Sequence, residues 1–189
     1  MTWYTFFKSA HVLLAVLWVG GAVTLQVIAF RALRGDGRRQ VEFAGDAEFV
    51  GTRVFIPTAL LLVLTGTAAV INGNLTWGQN WITFGLIVFV ASFLVGAGFL
   101  GPESGRLATL IGEKGPDAPE VGARIRRILV VSRVELVFLI GVVWNMVVKP
   151  VGQPGWFWGA LAVMAVAAAA VVVAYMRAEQ RVPAAAAAE

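Results

Sequence analysis

Long apolar runs separated by short polar segments dominate the sequence. Five runs are long enough to span a bilayer, at about residues 9–30, 54–71, 81–100, 128–148 and 156–176. A transmembrane helix needs about 20 mostly apolar residues, because the hydrocarbon core is about 30 Å thick. Lipid offers the backbone no hydrogen-bond partners, so the spans must be helices. The pattern therefore predicts an all-α polytopic membrane protein, a bundle of five transmembrane helices.

The segments between the spans add two short helices to this picture. Residues 38–53 carry apolar positions at helical spacing, which predicts an interfacial helix leading into the second span. Residues 103–114 predict another short helix, ended by Gly115 and Pro116. We expect Asp117 to be the N-cap of the fourth helix, which then extends beyond the bilayer before it enters.

The chain is expected to form one domain over residues 1–182. The last residues, 183–189, are low in complexity and alanine-rich, and we expect them to be a disordered tail.

The basic residues indicate the orientation of the spans. Twelve of the 15 Lys and Arg residues follow spans one, three and five, whereas only Lys8 and Lys149 lie on the other side. Because Lys and Arg collect in cytoplasmic loops, this predicts an N-out/C-in topology. The alternative is a cleaved signal peptide over the first span, which would move the basic cluster after it across the membrane. The alanine- and arginine-rich composition is typical of a bacterial chain, so we expect a multi-pass protein of the inner membrane.

Composition excludes several classes of function. The 189 residues are 59% hydrophobic and 14% charged, far from the balance of a soluble domain. The net charge is only +4 and the basic residues follow the topology, so nucleic acid is not an expected partner. The absence of Cys excludes disulfides, thiolate zinc sites and iron–sulfur clusters. With one His, a single chain cannot form a site that needs two imidazoles.

His11, the single histidine, is the first candidate for chemistry. It lies near the outer end of the first span, and a helix places Trp18 on the same side two turns below it. Imidazole is a common ligand of haem iron and copper. The alternative is a histidine near the interface that bonds to a neighbouring helix or to water.

The fourth span places Met146 and Lys149 at about the depth of His11, with Asn145 beside them. Histidine and methionine are a known axial pair for haem iron, and thioether and imidazole also suit copper. Lys8 and Lys149 are the outer cations, available to haem propionates. The alternatives are a methionine that fills a packing gap and lysines that extend to the headgroups.

Glu135 and Arg133 lie within the fourth span, where ionisable residues are costly. They point about 200° apart on the helix, because successive residues turn by about 100°. We expect Arg133 to extend to the cytoplasmic surface and Glu135 to face Gln26 or Thr58, at similar depth. Glu135 is then a buried carboxyl that fixes helix packing or, alternatively, a proton relay.

Two segments carry a resemblance to known families. Residues 8–21, KSAHVLLAVLWVGG, resemble the first helix of the copper-resistance D family and of the membrane-bound, haem-containing protoporphyrinogen oxidases. Residues 126–150, RRILVVSRVELVFLIGVVWNMVVKP, are similar to a related family of uncharacterised bacterial integral-membrane proteins. The resemblance implies a helical bundle with a haem or copper site, with His11 as the histidine and Met146 or Lys149 as its partner.

Three functional classes are compatible with these residues. The leading hypothesis is a membrane protein that binds b-type haem, or less favourably copper, near the outer face through His11. The alternative is a cofactor-free accessory subunit, held to a membrane protein or to a second copy by small-residue helix faces such as that of Gly155 and Gly159. The third is a small transporter with Glu135 as its coupling carboxylate. Whether the protein is an enzyme stays open.

Overall fold

The computed structural model describes residues 1–150 and 154–186, with side chains in the last helix described for Gly155 and residues 158–176. The regular secondary structure in this part of the chain is all helical, with no strand, which confirms the all-α prediction. The helices, in chain order, are α1 Trp3–Leu33, α2 Gly37–Val50, α3 Ile56–Asn72, α4 Asn80–Val95, α5 Gly101–Lys114, α6 Pro119–Val148 and α7 Pro154–Ala186.

Five helical stretches are long and apolar enough to cross a membrane, as predicted. They are Trp3–Leu33, Gly37–Asn72, Asn80–Lys114, Pro119–Val148 and Trp158–Met176. Helix α7 runs to Ala186, into the segment for which the sequence predicts disorder, and residues 187–189 lie outside the described residues.

Two of these stretches are interrupted by a π-helical turn. Gly51–Phe55 joins α2 to α3, and Gly96–Leu100 joins α4 to α5. The resulting helices of 36 and 35 residues are about 53 Å long at 1.5 Å per residue. Since the hydrocarbon core is only about 30 Å thick, both must extend well beyond it at one end of the bundle.

The extended ends pack together into a structure that we call the cap, formed by the end of α1, α2, α5 and the start of α6. Its core contains the most deeply buried side chains of the described residues, Phe43, Leu107, Val121 and Ile125. The predicted helix at 38–53 is confirmed, but its apolar face lies against protein, with Phe43 only 2% exposed. Helix α2 is therefore part of a folded cap and not an interfacial helix.

The start of α6 differs from the prediction by one residue. Ala118 is the N-cap and Pro119 begins the helix, so Asp117 lies outside it. The cause is the proline, which holds the preceding residue in an extended conformation and leaves Asp117 too early to cap. Helix α6 does extend beyond the bilayer as predicted, because its first turns form part of the cap core.

Helix α6 is central to the membrane part of the bundle. It packs against α1, α4 and α7, and α1 packs in turn against α3. Trp18 of α1 and Phe89 of α4 meet edge to face with ring centroids 5.6 Å apart. The tryptophans Trp3, Trp77, Trp81 and Trp144 lie where helices begin or end away from the cap, and we call this the Trp-rich end.

Candidate functional site

His11 is held between α1 and α3 by a hydrogen bond and by a glycine. Its Nδ1 lies 3.0 Å from the backbone carbonyl oxygen of Leu62. A carbonyl oxygen only accepts hydrogen bonds, so Nδ1 carries the proton and, in the neutral ring, Nε2 carries the lone pair. A Cβ on Gly66 would lie 3.0 Å from His11 Cε1 and 3.1 Å from Nδ1. The absence of a side chain at Gly66 therefore lets the imidazole lie against the backbone of α3.

Two more residues complete the surroundings of this ring. The hydroxyl of Thr65 lies 3.5 Å from His11 Nδ1 and donates to the carbonyl of Leu61. The side chain of Leu62 packs with Trp18, which is 8% exposed. Trp18 is thus part of the bundle core, next to the residue whose carbonyl orients His11.

Met146 packs against other partners than His11. Its methyl group lies over Gly85 of α4, where a Cβ would overlap it. It also packs beside the cluster formed by Val70, Trp81 and Ile82. The contacts therefore assign Met146 to the packing of α6 on α4, and the predicted pairing of His11 with Met146 stays a prediction.

Asn145 ties the same two helices together. Its Nδ2 donates to the backbone carbonyl oxygen of Trp81 at 2.8 Å, and Asn145 itself is 3% exposed. Because the first turn of α4 offers this carbonyl inside the bundle, the amide fixes the position of the Trp-rich end of α6.

The two predicted outer cations lie against aromatic rings at the Trp-rich end. Lys8 Nζ is 5.2 Å from the centroid of the Tyr4 ring, and Lys149 Nζ is 4.9 Å from that of Trp81. Lys149 ends α6 in a left-handed conformation with φ 46°. Each ammonium is therefore held beside the bundle by a cation–π contact.

Glu135 faces a different helix from the one expected. Its Oε1 accepts a hydrogen bond from Ser92 Oγ of α4. The predicted partners, Gln26 of α1 and Thr58 of α3, were wrong. The arrangement of the helices decides which helix lies against Glu135, and a single sequence does not give that arrangement. Glu135 and Ser92 form a polar contact between α4 and α6.

Gln26 and Arg133 form a second polar contact, between α1 and α6. Arg133 Nε donates to Gln26 Oε1 at 3.2 Å, and Gln26 Nε2 donates to Ser132 Oγ. The side chain of Arg133 is exposed, as expected. It does not extend freely to the surface, however, because its hydrogen bond to Gln26 holds it at the contact between α1 and α6.

Sequence reasoning missed three parts of these sites. The Leu62 carbonyl carries no sequence signal, because a backbone oxygen is present at every residue. Ser92 was detectable as a polar residue within an apolar span. Glu103 of α5, which is 3% exposed and bonded to two arginines, was signalled by its spacing of three residues from Arg106.

The acidic and imidazole side chains do not converge into a metal centre. Among the described residues there is no group of three or more His, Cys, Asp or Glu residues able to hold a metal ion. Any cofactor bound through this set would have His11 as its one imidazole ligand.

Comparison with known proteins identifies one family. A model of the family DUF2269, described as a predicted integral membrane protein, matches residues 5–150. Searches of curated proteins and of solved structures found no significant match. The matched range covers α1 from residue 5 onward, helices α2 to α6 and the residues around His11, so the chain belongs to the DUF2269 family of predicted integral membrane proteins.

Proposed function

We propose that this integral membrane protein binds one b-type haem through Nε2 of His11. The observation that carries the proposal is the hydrogen bond between Nδ1 and the Leu62 carbonyl. Histidine ligands of metals commonly donate their second ring N–H to a backbone carbonyl, which fixes the tautomer and raises ligand basicity. His11 has this arrangement within a membrane-spanning helix, where an ionisable side chain is energetically costly.

The available donor set fits haem better than copper. Haem iron can be held by a single proximal histidine, since the porphyrin supplies the other four ligands. A protein copper site needs several imidazole, thiolate or thioether ligands from the chain. The chain offers one His and no Cys, and Met146 is engaged in packing on Gly85. Copper is therefore the weaker alternative.

The other residues have supporting roles in this proposal. Leu62 orients the imidazole, and Gly66 leaves room for it against α3. Lys8 and Lys149 are cations at the Trp-rich end, suited to the propionate groups. Bound haem supplies one-electron redox chemistry. The edge-to-face pair of buried Trp18 and partly buried Phe89 forms part of the neighbouring bundle core.

The decisive experiment compares two substitutions of His11 in the full chain, purified in a mild detergent. The amide nitrogen of Asn lies close to the position of Nδ1, so His11→Asn keeps a donor for the Leu62 carbonyl and removes Nε2. His11→Ala removes both. We expect the wild-type protein to show a Soret band and sharp bands after reduction with dithionite, and both variants to lose them.

Thermal unfolding of the same samples separates ligation from folding. We expect His11→Asn to keep most of the stability of cofactor-free wild-type protein, because the contact between α1 and α3 is retained. Haem retained at wild-type stoichiometry in His11→Asn would contradict the proposal. So would a wild-type protein that stays colourless after haem is added to it in detergent.

A cofactor-free accessory subunit is the second candidate, and the position of α7 favours it. Helix α7 packs chiefly against α6, where Met164 lies over Gly141. Most of its other described residues are exposed, including Val163 at 69% and Val166 at 70%. A partner membrane protein that co-purifies at fixed stoichiometry, and is lost when α7 is removed, would support this function. A haem-free monomer in mild detergent would contradict it.

A further inference from the structure

The contact between α5 and α6 in the cap carries a row of three arginines around one carboxylate. Glu103, on α5, is 3% exposed. Arg106 Nη1 donates to its Oε1 at 2.8 Å, and Arg124 Nη1 donates to its Oε2 at 2.9 Å. The hydrogen bond from Arg106 holds the pKa of the Glu103 carboxyl below its ordinary value, and the charges of Arg124 and Arg127 act in the same direction against the effect of burial.

The third arginine continues this row toward the membrane part of the bundle. The Arg127 guanidinium lies 5.2 Å from the centroid of the Phe99 ring, in the π-helical turn that ends α4. Helix α6 runs antiparallel to α4 and its continuation α5. Because Arg124 lies opposite Glu103, Arg127 therefore lies opposite Phe99. Arg106, Arg124 and Arg127 therefore follow one seam from the cap to the end of the apolar span.

The charges on this seam are not balanced within the described part of the chain. Glu103 pairs with Arg106 and Arg124, and Arg127 has no ion pair among the described residues, so the seam carries two positive charges in excess. The two outer arginines are accessible, because the Arg106 side chain is 67% exposed and Arg127 is also exposed. Glu103 holds Arg106 and Arg124 in place, and Phe99 supports Arg127. The guanidinium groups are thus positioned in advance for an anion.

We infer that this seam binds the phosphate group of an anionic glycerophospholipid. Guanidinium groups form strong, directional hydrogen bonds with phosphate oxygens. The seam ends beside the end of α4 that is nearer the cap. The lipid-facing surface of α4 exposes Ile87 at 60% and Leu94 at 63%. Acyl chains lying on these residues would put the headgroup at the level of Arg127. A free phosphate ester offers the same charge but gains nothing from that apolar surface.

The test measures lipid retention by the full chain with one arginine removed. Arg127→Gln leaves both ion pairs of Glu103 intact, so the cap retains its carboxylate contacts. The control is Arg39→Gln, which removes one exposed positive charge from α2 at the same end of the protein. Native mass spectrometry counts the phosphatidylglycerol bound after extraction from vesicles of equal phosphatidylglycerol and phosphatidylcholine.

We expect Arg127→Gln to lower the amount of bound phosphatidylglycerol about tenfold, because a hydrogen bond to a charged group contributes about 1.5 kcal/mol. Arg39→Gln should change it less than twofold. Equal loss in the two variants would overturn the inference, because it would indicate charge attraction without a site. Displacement of the lipid by millimolar glycerol 3-phosphate would also overturn it, since the ligand would then be a soluble phosphate ester.

Discussion

His11 and Gly66 lie in direct contact across the α1–α3 interface. A Cβ at Gly66 would stand 3.0 Å from His11 Cε1, closer than most carbon contacts. The glycine thus determines how near the imidazole lies to the α3 backbone and, through that distance, whether Nδ1 reaches the Leu62 carbonyl at 3.0 Å.

The first prediction concerns this glycine. We expect Gly66→Ala to push the ring away from α3, to weaken the bond to Leu62 and to destabilise the fold by about 1–2 kcal/mol. Thermal unfolding in detergent measures the effect. The control is Gly20→Ala on α1, where a Cβ would meet nothing within 4 Å. That change should be neutral or stabilising, since Ala favours helix by about 1 kcal/mol. Equal stability in the two variants would show that the contact is not tight.

The second prediction concerns the buried amide on α6. Replacing Asn145 by Ala leaves the Trp81 carbonyl without its 2.8 Å partner inside the bundle. We expect a loss of about 1–2 kcal/mol, the upper range for hydrogen bonds between membrane helices. Asn72→Ala is the matched control, because its exposed amide bonds only to Ala68 of its own helix. If the control loses as much stability as Asn145→Ala, the bond between helices contributes little.

The third prediction concerns pH and the cap. Because hydrogen bonding and nearby arginines lower the pKa of Glu103 in the folded state, its contribution to stability is present above the ordinary carboxyl pKa. That contribution is lost as the pH falls through the lowered, folded-state pKa. Glu103→Gln should therefore lower the melting temperature at pH 7 and flatten its decline toward pH 3. Glu42→Gln, at an exposed carboxyl paired with Arg38, should leave the pH profile almost unchanged. A Glu103→Gln profile parallel to wild type would contradict the assignment.

The fourth prediction concerns orientation. The chain has no natural cysteine, so a single introduced thiol reports its own side of the membrane. We expect Gly112→Cys, at the end of α5, to be shielded from an impermeant thiol reagent in intact cells. Gly78→Cys, before α4, should react. The reverse pattern would overturn the N-out/C-in topology. Labelling of both positions after the cells are opened controls for access.

The sequence alone was sufficient to predict the helices but not to predict which helices pack against one another. Span length and hydropathy predicted all five membrane-spanning helices, because lipid forces an apolar surface onto each of them. The sequence also predicted helices at 38–53 and 103–114, but it did not predict that they pack together as a cap, because only tertiary packing assigns Phe43 to a protein core. Glu135 shows the limit at the site, because its partner Ser92 depends on which helix lies beside α6.

The two π-helical turns have a geometric consequence for the whole molecule. Such a turn closes its hydrogen bonds over five residues in place of four, so it holds about one extra residue and advances the helix beyond it by about 100°. The cap helices are therefore out of phase with the spans that they continue, and Phe43 and Leu107, one on each cap helix, lie in the same buried cluster. Deleting one residue from either turn would restore an unbroken α-helix and rotate the attached cap helix away from its core. The extra residue in each turn thus acts as a spacer. It lets one continuous helical stretch direct one apolar surface toward lipid and another toward the core of the cap.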